Sequence, residues 1–224
     1  MPFILILYGV LVTVTACLHG SATHRRRYTF SKTLTSLGFV VIALFAGYRG
    51  DFPSLYLYLL PGFWFAVAGD YLLGLAHSEN NYRGKTFLLG ATAFMLAHVS
   101  FYLAYSAEYA FRWSDWLLPC VFAGVMFFIL HGKKFNLGRM KVPGLIYSFF
   151  VTVLLSKGIS LFVYEGWAVR HLLVLLSGFF FLASDIVLLF MYFYVSPSKK
   201  RLGAVNLVTY YIAMGLLGLS IFPN

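Results

Sequence analysis

The sequence predicts an all-α membrane protein in which eight transmembrane helices form one bundle, with both termini outside. Three observations predict this class. Of the 224 residues, 61% are hydrophobic and only 11% are charged, whereas soluble domains carry about 25% charged residues. The apolar residues recur in blocks of about 20, the length that crosses a hydrocarbon core of roughly 30 Å. Basic residues cluster in alternate connections between these blocks, as in polytopic membrane proteins.

Eight spans result when the apolar runs are divided at the charged clusters. The spans are roughly Pro2–His19, Thr33–Tyr48, Leu55–Ala76, Phe87–Ser106, Trp116–Leu130, Val142–Val163, Ala168–Val195 and Gly203–Phe222. The first span lacks a basic start and a small-residue cleavage site, so we interpret it as a retained helix and not as a signal peptide. The connections are too short for a soluble domain. We therefore expect residues 1–224 to form a single transmembrane domain.

The basic residues predict the orientation of the bundle. The even-numbered connections contain three of them (Arg49, Arg112 and Arg170). The odd-numbered connections contain 13: Arg25, Arg26, Arg27, Lys32, Arg83, Lys85, Lys133, Lys134, Arg139, Lys141, Lys199, Lys200 and Arg201. Since Lys and Arg are enriched on the cytoplasmic side, the odd connections should be cytoplasmic. The clusters would alternatively bind anionic lipid or nucleic acid, but their regular alternation favours the topological interpretation, and we expect no nucleic-acid partner.

A weak internal similarity suggests two parallel four-helix halves. Residues 63–75 align with residues 178–190 at an offset of 115, which superposes Asp70 on Asp185. The offset is close to half the chain length, and each Asp then lies in the third helix of its half. Halves with an even number of helices are related by an axis along the membrane normal. The alternative is that any two apolar helices align this well.

Two acidic residues inside spans, Asp70 and Asp185, are the main candidates for a functional site. An ionisable group within a span costs at least about 2.5–3.5 kcal/mol, so it normally faces the bundle interior and marks function. Both acids lie in the inner half of their spans or near the midplane, at comparable depth. The alternative is that each merely hydrogen-bonds to a neighbouring helix.

Other polar side chains lie at the same depth. Span four places Gly90, Phe94, His98 and Tyr102 on one helix face at steps of four. His98 lies near mid-membrane, beside the acids, although a lone histidine is often only a packing residue. Span eight brings Asn206, Tyr210 and Tyr211 to its inner half, where they are candidates for orienting the carboxyls or a polar substrate group.

Span six carries a stripe of small hydroxyls. Ser148, Thr152, Ser156 and Ser160 recur at steps of four, a pattern more typical of close helix packing than of a cavity wall. Lys157 lies beside this stripe toward the outer end, and we expect its side chain to snorkel to the membrane interface.

The sequence contains no Walker-type loop, no GxGxxG or GxSxG motif, and no HExxH or paired-cysteine spacing. Its six histidines are dispersed. We therefore expect no metal ion and no cofactor.

Four motifs together resemble a known family. They are GDYLLGL at residues 69–75, the GxxxFxxxHxxxY face of residues 90–102, FLASDIVLLF at residues 181–190 and TYYIA at residues 209–213. In order and spacing they are similar to the YhhN family of eight-helix membrane proteins, which includes lysoplasmalogenases of bacteria and animals. The resemblance runs from about Lys32 to the end of the chain.

The resemblance implies hydrolysis of the vinyl ether bond of lysoplasmalogens, which gives a fatty aldehyde and a glycerophospho-alcohol. It also implies that Asp70 and Asp185 are the family's two acids and that His98 is its fourth-helix histidine. Tyr210 or Tyr211 matches the last-helix tyrosine, and Lys32 matches a basic residue that opens the second helix. The family often has Pro after that residue, where this chain has Thr33.

The chemistry of a vinyl ether fits two acids. Protonation of the β-carbon creates an oxocarbenium ion, to which water adds, so one protonated acid and one anion are needed, as in glycoside hydrolysis. We predict that Asp70 and Asp185 form this catalytic pair, that Lys32 binds the lipid phosphate, and that His98, Tyr102, Asn206, Tyr210 or Tyr211 bind or orient the substrate.

The expected partners are a lysophospholipid substrate and membrane lipid, and the expected location is the bacterial inner membrane. A competing interpretation is a proton-coupled small-molecule or lipid transporter that uses the same acids. A third is a binding or sensory protein. The sequence makes no prediction of the oligomeric state.

Overall fold

Helices form nearly all of the computed structural model, which describes residues 1–19, 25–194 and 199–222. The helices are α1 (Pro2–His19), α2 (Arg25–Arg49), α3 (Ser54–Ser78), α4 (Lys85–Glu108), α5 (Leu117–Leu130), α6 (Lys141–Val151), α7 (Val153–Tyr164), α8 (Val169–Phe193) and α9 (Lys199–Leu219). Within these ranges, eight segments are long and apolar enough to cross a membrane, and α6 with α7 forms the sixth of them. The predicted all-α, eight-span class is confirmed.

We call the end of the bundle that carries the odd-numbered connections the inner end, and the opposite end the outer end. Residues 20–24 and 195–198, and the side chains of Arg25, Lys199 and Lys200, lie outside the described part of the chain. They include His24, Val195 and part of the basic set on which the orientation rests. The assignment of the inner end to the cytoplasm stays a prediction.

The second helix begins earlier than predicted. The sequence pattern predicts a start at Thr33, but α2 begins at Arg25, because its first two turns pack between α1 and α3. The hydroxyl groups of Thr15 on α1 and Ser31 on α2 lie 2.6 Å apart. Lys32 is buried, with 6% of its surface exposed. The placement of Lys32 in a connection was therefore wrong.

Span six is broken near its middle, which the sequence pattern did not indicate. α6 ends at Val151 and α7 begins at Val153. The hydroxyl of Thr152 donates a hydrogen bond to the carbonyl of Phe149 at 2.9 Å. Hydroxyls that bond back to the preceding turn compete with the helical pattern and bend helices. The N–H of Ser156 bonds to the carbonyl of Thr152 at 2.9 Å, so the helix resumes at once.

The order of packing in the bundle brings the two candidate acids toward one interior. α3 lies between α2 and α4, and α8 lies between α7 and α9. α9 closes the bundle against α1 and α2, while α4 packs on α6 and α7. Asp70 on α3 and Asp185 on α8 thus stand on helices flanked in the same way within each half.

Helices α7 and α8 pack closely against each other at two glycines. A Cβ atom at Gly158 would lie 2.6 Å from the Cα of Leu175, and one at Gly178 would lie 2.5 Å from the Cα of Leu155. Since these are backbone atoms, no side-chain rotation relieves the contact. Small residues of this kind permit close packing of membrane helices, and here they fix α7 against α8.

We expect Gly178→Ala to destabilise the protein by about 1–3 kcal/mol, because the added methyl group forces the two backbones apart. Gly124→Ala on α5 is the matched control, since a Cβ atom there would meet no atom within 4 Å. The measurement is the midpoint of thermal unfolding in detergent. Equal midpoints for the two variants would contradict this description of the α7–α8 contact.

The outer end of the bundle is closed by hydrogen bonds between helix ends. The guanidinium of Arg170 donates to the carbonyls of Ser220 and Phe222 at 3.0 and 3.1 Å, and to the hydroxyl of Tyr109 at 3.2 Å. The hydroxyls of Tyr105 and Ser220 share a hydrogen bond at 2.5 Å. These contacts join α4, α8 and the end of α9 into one seal.

Candidate functional site

Asp70 is completely buried and has three polar partners. The ammonium of Lys32 lies 2.8 Å from its Oδ1 atom. The hydroxyls of Ser36 and Tyr210 each donate a hydrogen bond to its Oδ2 atom at 2.5 Å. Lys32 and Ser36 are four residues apart on α2 and so share one face of that helix. One oxygen of this carboxyl therefore faces a cation, and the other accepts from two hydroxyl groups.

Tyr211 holds the backbone at Lys32 in place and does not contact the carboxylate of Asp70. Its hydroxyl donates to the backbone carbonyl of Lys32 at 3.0 Å, and its own carbonyl accepts a hydrogen bond from Tyr8 at 2.8 Å. Tyr211 therefore ties α9 to α2, while the neighbouring Tyr210 contacts the carboxylate of Asp70 itself. Of the two tyrosines named by the sequence, Tyr210 is the one in contact with an acid.

Asp185 has neutral surroundings and is less buried, with 15% of its side chain exposed. The hydroxyl of Tyr147 on α6 donates to its Oδ2 atom at 3.2 Å. The Nε2 atom of His98 lies 3.9 Å from the same oxygen. Within the described residues, no Lys or Arg forms an ion pair with Asp185. The two acids therefore differ in electrostatic environment, because only Asp70 has a cation beside it.

His98 is a buried histidine whose ring nitrogens have no hydrogen-bond partner among the described residues. Only 1% of its surface is exposed, and its ring packs edge-on against Phe181 at 4.7 Å between centroids. Buried polar atoms are nearly always paired, so an exception calls for an explanation. Catalytic contacts are often long without substrate and tighten when it binds. The 3.9 Å gap to Asp185 fits that behaviour.

The partners of the two acids come from corresponding spans. Asp70 on span three is contacted from spans two and eight, and Asp185 on span seven is contacted from spans six and four. Lys32 and Tyr147 are separated by 115 residues, as are Asp70 and Asp185. Lys32 in one half thus has the hydroxyl of Tyr147 at the equivalent position of the other half, while His98 and Tyr210 do not keep this offset. The parallel repeat stays a prediction.

Both acids face one cavity of about 330 Å³. Its wall also includes Lys32, Asn206 and Tyr210 from the predicted site. On α4 the wall extends only from Phe87 to Met95, whereas on α5, α8 and α9 it reaches the middle of the helix. The cavity thus extends from the inner half to the middle of the bundle, and the packed core separates it from the outer end.

Asn206 lines the cavity but bonds to a serine and not to an acid. Its side-chain nitrogen donates to the carbonyl and the hydroxyl of Ser184 at 2.9 and 2.8 Å. The hydroxyl of Ser184 in turn donates to the carbonyl of Asn206 at 3.1 Å. This reciprocal pair fixes α9 against α8, one residue before Asp185.

Tyr102 belongs to a different polar cluster, nearer the outer end. Its hydroxyl donates to the Oδ2 atom of Asp115 at 3.3 Å, and the ammonium of Lys157 lies 3.4 Å from the same oxygen. Lys157 also donates to the carbonyl of Ala110. Only 1% of the surface of Lys157 is exposed. The prediction that Lys157 snorkels was wrong, because the 3-10 helix Trp113–Trp116 carries Asp115 into the bundle as its counter-ion.

Two members of the site, Ser36 and Tyr147, were not identified from the sequence. Ser36 follows Lys32 by one helical turn, so the position of Lys32 would have indicated it. Tyr147 lies 115 residues after Lys32, so the repeat alignment would have indicated it if it had been extended beyond the third helix of each half.

Comparison with known proteins finds a family match over most of the chain. The YhhN family matches residues 27–221, which is most of the chain. The matched segment contains every side chain that contacts Asp70 or Asp185. No curated protein and no solved structure matches the chain significantly.

Proposed function

Since the chain belongs to the YhhN family, we propose that it is an intramembrane hydrolase that cleaves the vinyl ether bond of lysoplasmalogens. The products are a fatty aldehyde and a glycerophospho-alcohol. The observation that carries this proposal is the unequal pair of acids on one largely apolar cavity. Asp70 has a cation at 2.8 Å, whereas Asp185 has a tyrosine hydroxyl at 3.2 Å.

In this mechanism Asp185 is the acid and Asp70 is the permanent anion. The ammonium of Lys32 forms an ion pair with the carboxylate of Asp70 at 2.8 Å. Without such a cation, a carboxyl beside apolar walls is more stable in its neutral form. Tyr147 keeps the carboxyl of Asp185 in one orientation by donating to Oδ2, which leaves Oδ1 to carry the proton.

The reaction consumes one water and regenerates the acid. Asp185 gives its proton to the β-carbon, the π bond breaks, and an oxocarbenium ion forms at the carbon that bears the oxygen. Water adds to that carbon and returns a proton to the carboxylate of Asp185, and His98 at 3.9 Å is placed to orient this exchange. The resulting hemiacetal divides into aldehyde and alcohol. The positive charge that develops in this step is stabilised best by polar groups that the folded protein already holds in position.

Asp70 contributes by fixing charge and position. Its carboxylate holds the hydroxyl of Tyr210 at the cavity wall. Its negative charge, together with that of Asp185 after proton transfer, stabilises the oxocarbenium ion. Lys32 is occupied by Asp70 in this arrangement, so we no longer assign the lipid phosphate to it.

The transporter alternative receives less support from the structure. A transporter requires a path that opens to each side in turn. Here the outer half contains the ion pair between Lys157 and Asp115 and the seal formed by Arg170. The cavity extends from the inner half only as far as the middle of the bundle. This one-sided shape fits an enzyme that takes a lipid from one leaflet.

The direct test is to incubate the purified protein in detergent with a lysoplasmalogen and measure free aldehyde. We expect aldehyde release from the vinyl ether and none from the saturated ether analogue, because only the vinyl ether is protonated at carbon. Two results together would overturn the hydrolase proposal in favour of a transporter. They are the absence of aldehyde and a proton-coupled uptake of the same lipid by vesicles that contain the protein.

A further inference from the structure

The cavity that contains the acids has a polar part and an apolar part. The polar part is formed by Lys32, Asp70, Asp185 and Tyr210. The apolar part lies between α4, α5 and α6, where Phe122, Met126 and Leu130 of α5 form its far wall. The cavity therefore matches an amphiphilic molecule, which also has a polar end and an apolar end.

Hydroxyl groups in the wall do not make the apolar part polar. Ser148 donates to the carbonyl of Leu145 at 2.7 Å, and Thr92 donates to the carbonyl of Leu88 at 3.0 Å. Each hydroxyl is satisfied by its own helix, so it presents little polarity to a ligand. This part of the cavity suits a hydrocarbon chain.

Three side chains of the wall are also exposed on the outside of the bundle. They are Leu88 on α4, Ile146 on α6 and Ile186 on α8, with exposures of 38, 48 and 37%. A residue that faces both the cavity and the surroundings marks a thin place in the wall. These surroundings are the apolar bilayer, since all three positions lie within membrane spans.

The gap between α6 and α8 leads directly to the acid. Ile146 precedes Tyr147 and Ile186 follows Asp185 in the chain. α6 packs mainly on α4 and α5 and contacts α8 only sparsely. Exposure of the two acids agrees with this path, since Asp185 is 15% exposed and Asp70 is fully buried.

We propose that the cleft between α6 and α8, bordered by Ile146 and Ile186, admits the chain of a single-chain lipid from the inner leaflet into the apolar part of the cavity. This inference rests on the proposed hydrolase function, to which it adds the route and the chain-binding site. The vinyl ether joins the glycerol to the chain. A lipid whose head remains outside and whose chain lies within thus has this bond beside Asp185 and Tyr147.

The size of the cavity is compatible with an apolar chain. Its volume of about 330 Å³ lies within the usual range of small-ligand pockets, roughly 300–1,000 Å³. Most of its wall is apolar, and its polar groups are gathered around the two acids. The cavity therefore has room for a hydrocarbon chain next to the carboxyl of Asp185.

The head group stays at the inner interface in this arrangement. Ile146 is five residues from Lys141, the first residue of α6, or about 7.5 Å along the helix. Lys141 is exposed. A phosphate at this level meets basic side chains at the membrane surface, while the chain enters the protein below it.

The test uses lipid binding and does not require hydrolysis. Cys17 and Cys120 are exposed free thiols, and both are first replaced by serine. In this background, Met126→Cys places a single thiol in the far wall of the apolar part. A non-cleavable 1-O-alkyl lysophosphatidylcholine should slow modification of this thiol by N-ethylmaleimide at least fivefold. Glycerophosphocholine, which has no chain, should not. Ile159→Cys, on the exposed face of α7, is the control thiol.

Adding Ile186→Trp or Ile146→Trp to the Met126→Cys background should abolish this protection at the same lipid concentration, because the bulky ring fills the cleft. Leu88→Trp should preserve it. Protection lost with Leu88→Trp and kept with the other two would place the route at α4 and overturn the proposal, as would protection by glycerophosphocholine alone.

These outcomes are separable from those of the aldehyde assay. Chain-dependent protection without aldehyde release supports the cleft and rejects the hydrolase. Aldehyde release without protection supports the hydrolase and rejects the chain site. If Met126→Cys does not fold, Phe122→Cys, whose side chain lies in the same wall, replaces it.

Discussion

Asp185→Asn is expected to lower aldehyde release by about 10²–10⁴-fold, the usual contribution of a general acid. The amide has the same shape and still accepts the hydrogen bond from Tyr147, but it has no proton acidic enough for the β-carbon. The fold should be retained, because the side chain has no charged partner that would be left unpaired. Aldehyde release by the purified variant and its thermal midpoint are measured together.

Asp51→Asn provides the matched control. Asp51 is exposed in the connection between α2 and α3, at a φ of 54° that Asn also adopts readily. The same chemical change there should leave turnover and stability unchanged. Wild-type turnover in Asp185→Asn would remove the two-acid mechanism altogether.

Lys32→Met is expected to cost about 3–5 kcal/mol of stability, since it leaves the carboxylate of Asp70 buried without its cation. The double variant Lys32→Met, Asp70→Asn should recover most of this loss, because no charge is then left unpaired, yet it should remain inactive. Denaturant midpoints of the single and double variants measure the coupling.

Arg112→Met is the comparison for Lys32→Met, because it breaks an ion pair with Glu165 of similar length, 2.9 Å, in which both side chains are about one third exposed. Exposed pairs contribute at most about 1 kcal/mol. If Lys32 instead bound the lipid phosphate, Lys32→Met would raise KM with little change in stability. That outcome would return Lys32 to its sequence-based role.

The position of the acids was predictable because the cost of charge in a membrane is a local property of the sequence. An Asp within an apolar run is visible without any knowledge of its neighbours, and so Asp70 and Asp185 could be named. The number of spans was predictable for the same reason, since length and apolarity decide it.

The partners of the acids were less predictable because they depend on packing. Lys32 looked like a loop cation, and only the contact of α2 with α1 and α3 carries the helix past it. Lys157 looked like an interfacial residue, since nothing in the sequence shows that Asp115 folds inward. Tyr147 is one of 16 tyrosines, and only the position of α6 against α8 distinguishes it.

Because span six is interrupted at Thr152, its two halves can move independently and pack differently against α8. The outer half, α7, is fixed to α8 by Gly158 and Gly178 and carries Lys157 of the buried ion pair. The inner half, α6, carries Ile146 and Tyr147 and has little hold on α8. A helix bends first where its hydrogen bonding is interrupted. Displacement of α6 therefore leaves the outer seal intact, so that exchange of lipid with one leaflet does not open a leak across the membrane.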